Sequence, residues 1–134
     1  MVLTIDVGNS NISVGAFEGK QAVFTARMRT DRLRTEDEYA VLLRDIFRMH
    51  GFDASAISGA ALSCVVPSLS PVIVRAIGIL SDVSVVAVGP GVKTGINLRI
   101  DDPASCGADL VCTAAGAAEK YPLPAIIVNL GTAT

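Results

Sequence analysis

The chain has 134 residues, of which 51% are hydrophobic and 18% are charged, and its net charge is −2. This length and composition are enough for one ordinary domain with a buried core, and they argue against intrinsic disorder. With no apolar run near the roughly 20 residues of a membrane span, no basic leader and no strongly basic balance, we expect a cytoplasmic protein without a membrane or nucleic-acid partner.

The first part of the chain predicts an antiparallel meander followed by a helix. Residues 2–7, 11–18 and 21–29 have the β-branched content and partial alternation of strands, with a hairpin between the second and the third. Thr35 and Glu38 form the pattern of a capping box, and apolar residues then recur at helical spacing as far as Gly51. We therefore predict a helix over residues 36–50.

From residue 57 onward, strand patterns alternate with helix patterns. Helices are predicted over 69–81 and 106–120, and strands over 57–66, 83–88, 96–100 and 125–130. Several of these strands are apolar throughout, which is typical of strands that helices cover on both faces. The predicted fold class is therefore α/β, with a mixed sheet and flanking helices.

The turn that follows the first strand carries the residue types of a phosphate site. Asp6 ends the strand, and Gly8, Asn9 and Ser10 follow it. A carboxylate at a strand end can hold a hydrated Mg²⁺, while a glycine turn lets backbone N–H groups approach phosphate oxygens. The same residues also suit an ordinary hairpin turn, so the motif alone leaves both interpretations open.

The last residues repeat this pattern. The apolar run 125–130 contains Asn129 and leads into Gly131 and Thr132. Two such loops, one in each half of a duplicated fold, would hold a nucleotide from both sides of a cleft. We therefore expect the chain to be the N-terminal half of a two-domain architecture.

Metal-ligating and disulfide-forming side chains are few. The three cysteines, Cys64, Cys106 and Cys112, lack CxxC spacing, and His50 is the only histidine. The sequence therefore predicts reduced thiols and supports neither a disulfide framework nor a zinc site.

Six segments stand in a distinctive order along the chain. They are IDVGNSN at 5–11, RTDRLRTEDEY at 29–39, SCVVPSL at 63–69, GPGVKTGI at 89–96, IDDPASCGAD at 100–109 and NLGTAT at 129–134. In this order they resemble the type III pantothenate kinases of the acetate kinase, sugar kinase, Hsc70 and actin superfamily. The resemblance implies a ribonuclease H-like (actin-like ATPase) domain over residues 1–124 and the start of a second, duplicated domain at 125–134.

The resemblance also implies an activity. Members of that family transfer a phosphoryl group from ATP to pantothenate, giving 4′-phosphopantothenate in the first step of coenzyme A biosynthesis. They act as homodimers and need Mg²⁺ and a monovalent cation, K⁺ or NH₄⁺. For this chain the resemblance implies a small-molecule substrate, pantothenate, and these same cofactors.

Site residues follow from the resemblance, position by position. Asp109 is the implied catalytic base; taken alone, it would be a helix N-terminal residue that the dipole favours. The implied ATP and phosphate ligands are Asp6, Gly8, Asn9, Ser10, Gly131 and Thr132, with Asp6 and Asn129 at the metal. The implied substrate-binding residues are Gly91, Lys93, Thr94, Gly95 and Gly107.

Two residues depart from the family pattern. Leu110 stands where the family has an Arg that binds the pantothenate carboxylate, and leucine cannot make charge-assisted hydrogen bonds. Asn129 stands where the second loop usually has Asp, so one acceptor oxygen remains but the negative charge is lost. Two alternatives therefore stay open: a catalytically impaired paralogue with a binding or regulatory role, and a superfamily kinase that acts on another small molecule.

Overall fold

The computed structural model describes residues 1–130, which form five strands, three α-helices and two short 3-10 turns. In chain order the strands and α-helices are β1 (Val2–Val7), β2 (Asn11–Glu18), β3 (Gln21–Arg29), α1 (Glu36–Met49), β4 (Gly59–Cys64), α2 (Ser70–Leu80), β5 (Val85–Ala87) and α3 (Ala108–Lys120). Among these helices, none combines the length and the apolar character needed to cross a membrane.

The five strands form one mixed sheet in the order β3-β2-β1-β4-β5. β1, β2 and β3 are antiparallel, whereas β4 and β5 run parallel to β1. The predicted opening meander and the predicted α/β fold class are confirmed, with the strand arrangement of a ribonuclease H-like, actin-like ATPase domain. Gly19 has a φ of 58° in the hairpin between β2 and β3, a conformation that glycine adopts without steric cost.

The hydrophobic core lies on one face of this sheet, under α1 and α2. Alternate residues of β1 point into it, and so do alternate residues of β2. The largest fully buried side chains of the core are Leu3, Ile5, Ile12 and Leu62 of the sheet, Tyr39, Leu43 and Phe47 of α1, and Ile73 and Ile77 of α2. Burial of this face determines which side chains of β1, β2 and β4 point into the core.

α1 begins where the capping-box pattern predicts. The Glu38 N–H donates to the Thr35 hydroxyl at 3.4 Å, and the Thr35 N–H donates to the Glu38 carboxylate at 2.8 Å. Three acidic residues in the first turn complement the helix dipole. The helix can therefore start at Glu36 and bury its apolar stripe against the sheet.

The opposite face of the sheet carries small and polar side chains. Thr4, Asp6 and Ser13 point to this side, and α3 lies over it and contacts β4. Within α3, Val111 is the one buried residue. Because α3 stands apart from the apolar core, it is held to the sheet by fewer buried contacts than α1 and α2.

Two of the predicted strands are wrong. Residues 96–100 and 125–130 have no regular structure, and Ile126 is 95% exposed. A strand needs a neighbour to satisfy its backbone hydrogen bonds, and within residues 1–130 no strand pairs with either segment. The division into a domain over 1–124 and a second one from 125 stays a prediction.

We expect Thr35→Ala to lower the free energy of unfolding by about 1 kcal/mol, because the start of α1 loses its side-chain acceptor. Urea unfolding followed by circular dichroism measures the change. Thr35→Ser keeps the hydroxyl and serves as the control, with stability close to that of the unchanged chain. Equal midpoints for the alanine and serine variants would contradict this role of the cap.

Candidate active site

An open cleft of about 1070 Å³ lies where β1 ends and α3 begins. Its walls bring together parts of the chain that are far apart in sequence. The lining residues include Asp6, Gly8, Asn9 and Ser10 after β1, Asp109, Leu110 and Thr113 of α3, and Ile127, Val128, Asn129 and Leu130. The first predicted phosphate loop, the predicted base and Asn129 therefore face one space.

The turn after β1 is tightly fixed by backbone contacts. The Gly8 N–H donates to the Asn11 carbonyl at 3.0 Å, and a Cβ at position 8 would lie 3.1 Å from that same oxygen. Thr30 holds the turn from the other side: its hydroxyl donates to the Gly8 carbonyl at 2.8 Å, and its N–H donates to the Ser10 carbonyl at 3.0 Å. A larger residue at position 8 would therefore have to displace the Asn11 carbonyl by a few tenths of an ångström.

Arg32 holds the side chain of Asn9 in this turn. Its guanidinium donates to the Asn9 side-chain oxygen at 3.1 Å. Neither Thr30 nor Arg32 is among the site residues that the sequence predicts. Their position directly after β3, which pairs with β2, is the signal that could have placed both beside the phosphate loop.

Asp6 is held by a partner on the neighbouring strand. In the parallel register Asp6 lies opposite Ser63, whose hydroxyl donates to Asp6 Oδ1 at 2.7 Å. Ser63 is buried, whereas Asp6 is exposed to the cleft. Ser63 was not among the predicted site residues, because the register of β1 and β4 is not visible in the sequence.

Two cysteines lie near Asp6. Partial burial of the thiol raises the pKa of Cys112, the nearby Ser63 hydroxyl lowers it, and the Asp6 and Asp109 carboxylates raise it again. Burial also raises the pKa of Cys64. All three cysteines of the chain are free. Since both pKa values are raised, these two cysteines are neutral thiols at pH 7 and not activated nucleophiles.

Asp109 lies in the first turn of α3, which begins after Gly107. Its carboxylate is half-buried and makes no hydrogen bond with another side chain in the described part of the chain. A Cβ at position 107 would lie only 2.5 Å from Asp109 Oδ1, so glycine is required there for the carboxylate to adopt this position. Asp109 therefore has free lone pairs facing the cleft, as a proton acceptor needs.

Four of the predicted substrate-binding residues do not line the cleft. Gly91, Lys93, Thr94 and Gly95 belong to an irregular loop that does not contribute to its lining. Gly91 and Gly95 do have positive φ, of 87° and 77°, which explains the glycines. Gly131 and Thr132 lie outside the described residues. The roles predicted for these six residues stay predictions.

The oxygen ligands in the cleft are few, and they suit a metal ion that binds together with the phosphates of a nucleotide. Within residues 1–130, no three His, Cys, Asp or Glu side chains converge on one point. Asp6 offers one carboxylate, of which Oδ1 already accepts from Ser63. Mg²⁺ is commonly held by one or two carboxylates together with substrate phosphates and water, and this arrangement matches the residues present.

Comparison with known proteins agrees with the geometry. The model of the family described as type III pantothenate kinase matches residues 2–134. A protein of Geotalea daltonii named type III pantothenate kinase is 42% identical over the 134 residues, and one of Brevibacillus brevis with the same name is 40% identical. Each match covers all of this chain and 52% of the relative, so the chain spans about half the length of these curated relatives.

We expect Thr30→Val to destabilise the turn after β1, because the Gly8 carbonyl loses a donor while the side chain keeps its shape. The expected loss is about 1 kcal/mol in the free energy of unfolding, with faster hydrogen exchange at the Gly8 amide. Thr25→Val is the matched control, since Thr25 lies on the exposed side of β3 and makes no hydrogen bond through its side chain among residues 1–130. Equal exchange rates in both variants would contradict the role given to Thr30.

Proposed function

The chain belongs to the type III pantothenate kinase family, and from this we propose that it supplies the phosphate loop and the catalytic base of an ATP-dependent pantothenate kinase. The reaction transfers the γ-phosphoryl group of ATP to the primary hydroxyl of pantothenate. Its product, 4′-phosphopantothenate, enters coenzyme A biosynthesis. This activity is proposed for the complete protein.

One observation carries the proposal: Asp6 and Asp109 line the same open cleft. Phosphoryl transfer needs a carboxylate that positions the metal and phosphates, and a second one that receives the proton of the attacking alcohol. The two carboxylates must face one space while each keeps its own role. Ser63 donates to Asp6, and among residues 1–130 no side chain donates a hydrogen bond to the Asp109 carboxylate.

Asp6 and the turn after it would position the nucleotide phosphates. The turn is held by Thr30 and by Arg32, so it is preorganised before any ligand binds. Mg²⁺, when bound with ATP, neutralises charge on the phosphate oxygens. The protein's own contribution at this end of the cleft is the orientation of the Asp6 carboxylate and of the turn.

Asp109 would act on the substrate alcohol. As the hydroxyl oxygen bonds to the γ-phosphorus, the bond from that phosphorus to the β,γ-bridging oxygen breaks and ADP leaves. The hydroxyl proton passes to Asp109, which later releases it to solvent. Asp109 lies in the first turn of α3, so the helix holds its backbone in place. A base held in a fixed position loses less entropy when it meets the substrate hydroxyl.

The finer assignments also belong to this proposal. Asn129 lines the cleft and would offer its amide oxygen to a cation. Contacts of Gly91, Lys93, Thr94, Gly95 and Gly107 with pantothenate rest on the family resemblance. K⁺ or NH₄⁺ as a second cation, and a homodimer as the assembly, rest on family membership alone. So does a second, duplicated domain that begins at residue 125.

Leu110 favours a second candidate function. It lines the cleft beside Asp109 and is 50% exposed, where the family pattern has an arginine for the pantothenate carboxylate. An apolar side chain at this place suits an alcohol substrate without a carboxylate. The second candidate is therefore a kinase of the same superfamily with an uncharged small-molecule substrate.

The first test is mass-spectrometric detection of phosphopantothenate from the complete gene product with ATP, Mg²⁺, K⁺ and pantothenate. We expect product, and a decrease of kcat by about 10²- to 10⁴-fold in Asp109→Asn, because the amide cannot take the hydroxyl proton. Asp102→Asn is the control, since Asp102 only caps a 3-10 turn. No product from the folded, unchanged protein would refute pantothenate as the substrate.

Leu110→Arg separates the two candidate functions. We expect it to lower the KM for pantothenate by about 10-fold or more, because a guanidinium can make charge-assisted hydrogen bonds to the carboxylate. The KM for an uncharged amide of pantothenate should change little. If the unchanged protein prefers the amide, the second candidate is favoured; if Leu110→Arg affects both substrates equally, Leu110 does not face the carboxylate.

A further inference from the structure

Ser63 is a buried polar residue to which the proposed reaction gives no task. It is 6% exposed and is the single polar residue in the buried class among residues 1–130. It lies in β4 directly opposite Asp6 in the parallel register. A buried hydroxyl at this position calls for an explanation, because burying a polar group is favourable only when it has a partner.

The partner is the carboxylate near the end of β1. Ser63 Oγ donates to Asp6 Oδ1 at 2.7 Å, a distance typical of a charge-assisted hydrogen bond. An ionised carboxylate only accepts, so the single hydroxyl proton of Ser63 is committed to Asp6. Asp6 Oδ2 makes no hydrogen bond to a described residue and is left for the cleft.

Ser63 also contacts the helix that carries the proposed base. The thiol of Cys112, one turn after Asp109 in α3, lies close to the Ser63 hydroxyl. Ser63, Asp109 and Cys112 line the same space on this face of the sheet. Ser63 is thus bonded to Asp6 of β1 and belongs to the strand that α3, the helix of Asp109, contacts.

We propose that Ser63 is a positioning residue, which orients the Asp6 carboxylate so that Oδ2 faces the metal-bound phosphates of the nucleotide. This inference rests on the proposed function. Partners that orient a metal-binding carboxylate typically contribute about 10- to 100-fold to metal affinity or activity. Ser63 acts only through Asp6 and does not itself touch the nucleotide.

The sheet provides a matched control for this role. Ser13 lies opposite Asp6 on the other side, in the antiparallel register of β1 and β2. It is exposed and has no hydrogen bond to Asp6. The same serine-to-alanine change can therefore be made on both sides of one carboxylate, and it removes a hydrogen bond to Asp6 only at position 63.

The experiment measures ATP binding by calorimetry on the complete gene product, once with Mg²⁺ and once with EDTA. The Kd with EDTA divided by the Kd with Mg²⁺ reports the part of affinity that depends on the metal. We expect S63A to lower this ratio by about 10-fold or more, S13A to leave it unchanged, and the double variant D6N/S63A to match D6N alone. Thermal unfolding of each variant shows that the fold is intact.

Each outcome is decisive. A ratio in S63A equal to that of the unchanged protein, or losses that add up in D6N/S63A, would overturn the positioning role and leave the proposed function standing. If the ratio falls in S13A by as much as in S63A, the effect is a general one of this sheet face, and the positioning role is overturned. If the unchanged protein shows no metal-dependent ATP binding, the proposed function falls, and this inference with it.

Discussion

The pairing of β1 with its two neighbours determines both the core and the cleft of this protein. β1 is antiparallel to β2 and parallel to β4, so it is satisfied on both edges and cannot shift along either neighbour without breaking the other ladder. Leu3, Ile5 and Val7 are thereby directed into the core, and the alternate residues to the other face. Asp6 stands at the cleft because three residues of the same strand are buried under α1 and α2.

The two faces of the sheet have different physical tasks. One is apolar and closely packed, and it supplies the stability of the domain. The other carries small and polar residues and is covered in part by α3, which has one buried residue. A loosely covered face leaves room for a ligand beside the strand ends, which is where open α/β sheets generally bind their ligands. The site thus lies where packing is least complete.

Much of this architecture can be predicted from the sequence. The bounds of β1, β2 and β3 agree with prediction because their signals are local in the sequence: alternation of apolar residues and a glycine hairpin. α1 agrees because Thr35 and Glu38 define its start. The predicted strands at 96–100 and 125–130 fail because strand formation depends on a partner, and composition does not reveal whether a partner is present.

Some residues of the candidate site could be predicted from the sequence, and others could not. Asp6, Asp109 and Asn129 could be named from short motifs, and the structure places all three in one cleft. Thr30, Arg32 and Ser63 could not, because their importance lies in register and in contacts between distant segments. The loop that contains Lys93 has a predicted role only through the resemblance, and among residues 1–130 it does not contribute to the lining of the cleft.

The parallel register of β1 and β4 also bears on how this protein can evolve. Leu62 is buried in the core and Ser63 faces Asp6, and the two are consecutive residues of β4. A single-residue insertion or deletion within β4 would exchange their faces, placing a leucine against the carboxylate and a hydroxyl in the core. A change in the length of this strand would therefore disrupt the core and the site together, whereas a substitution on one face can alter either of them alone.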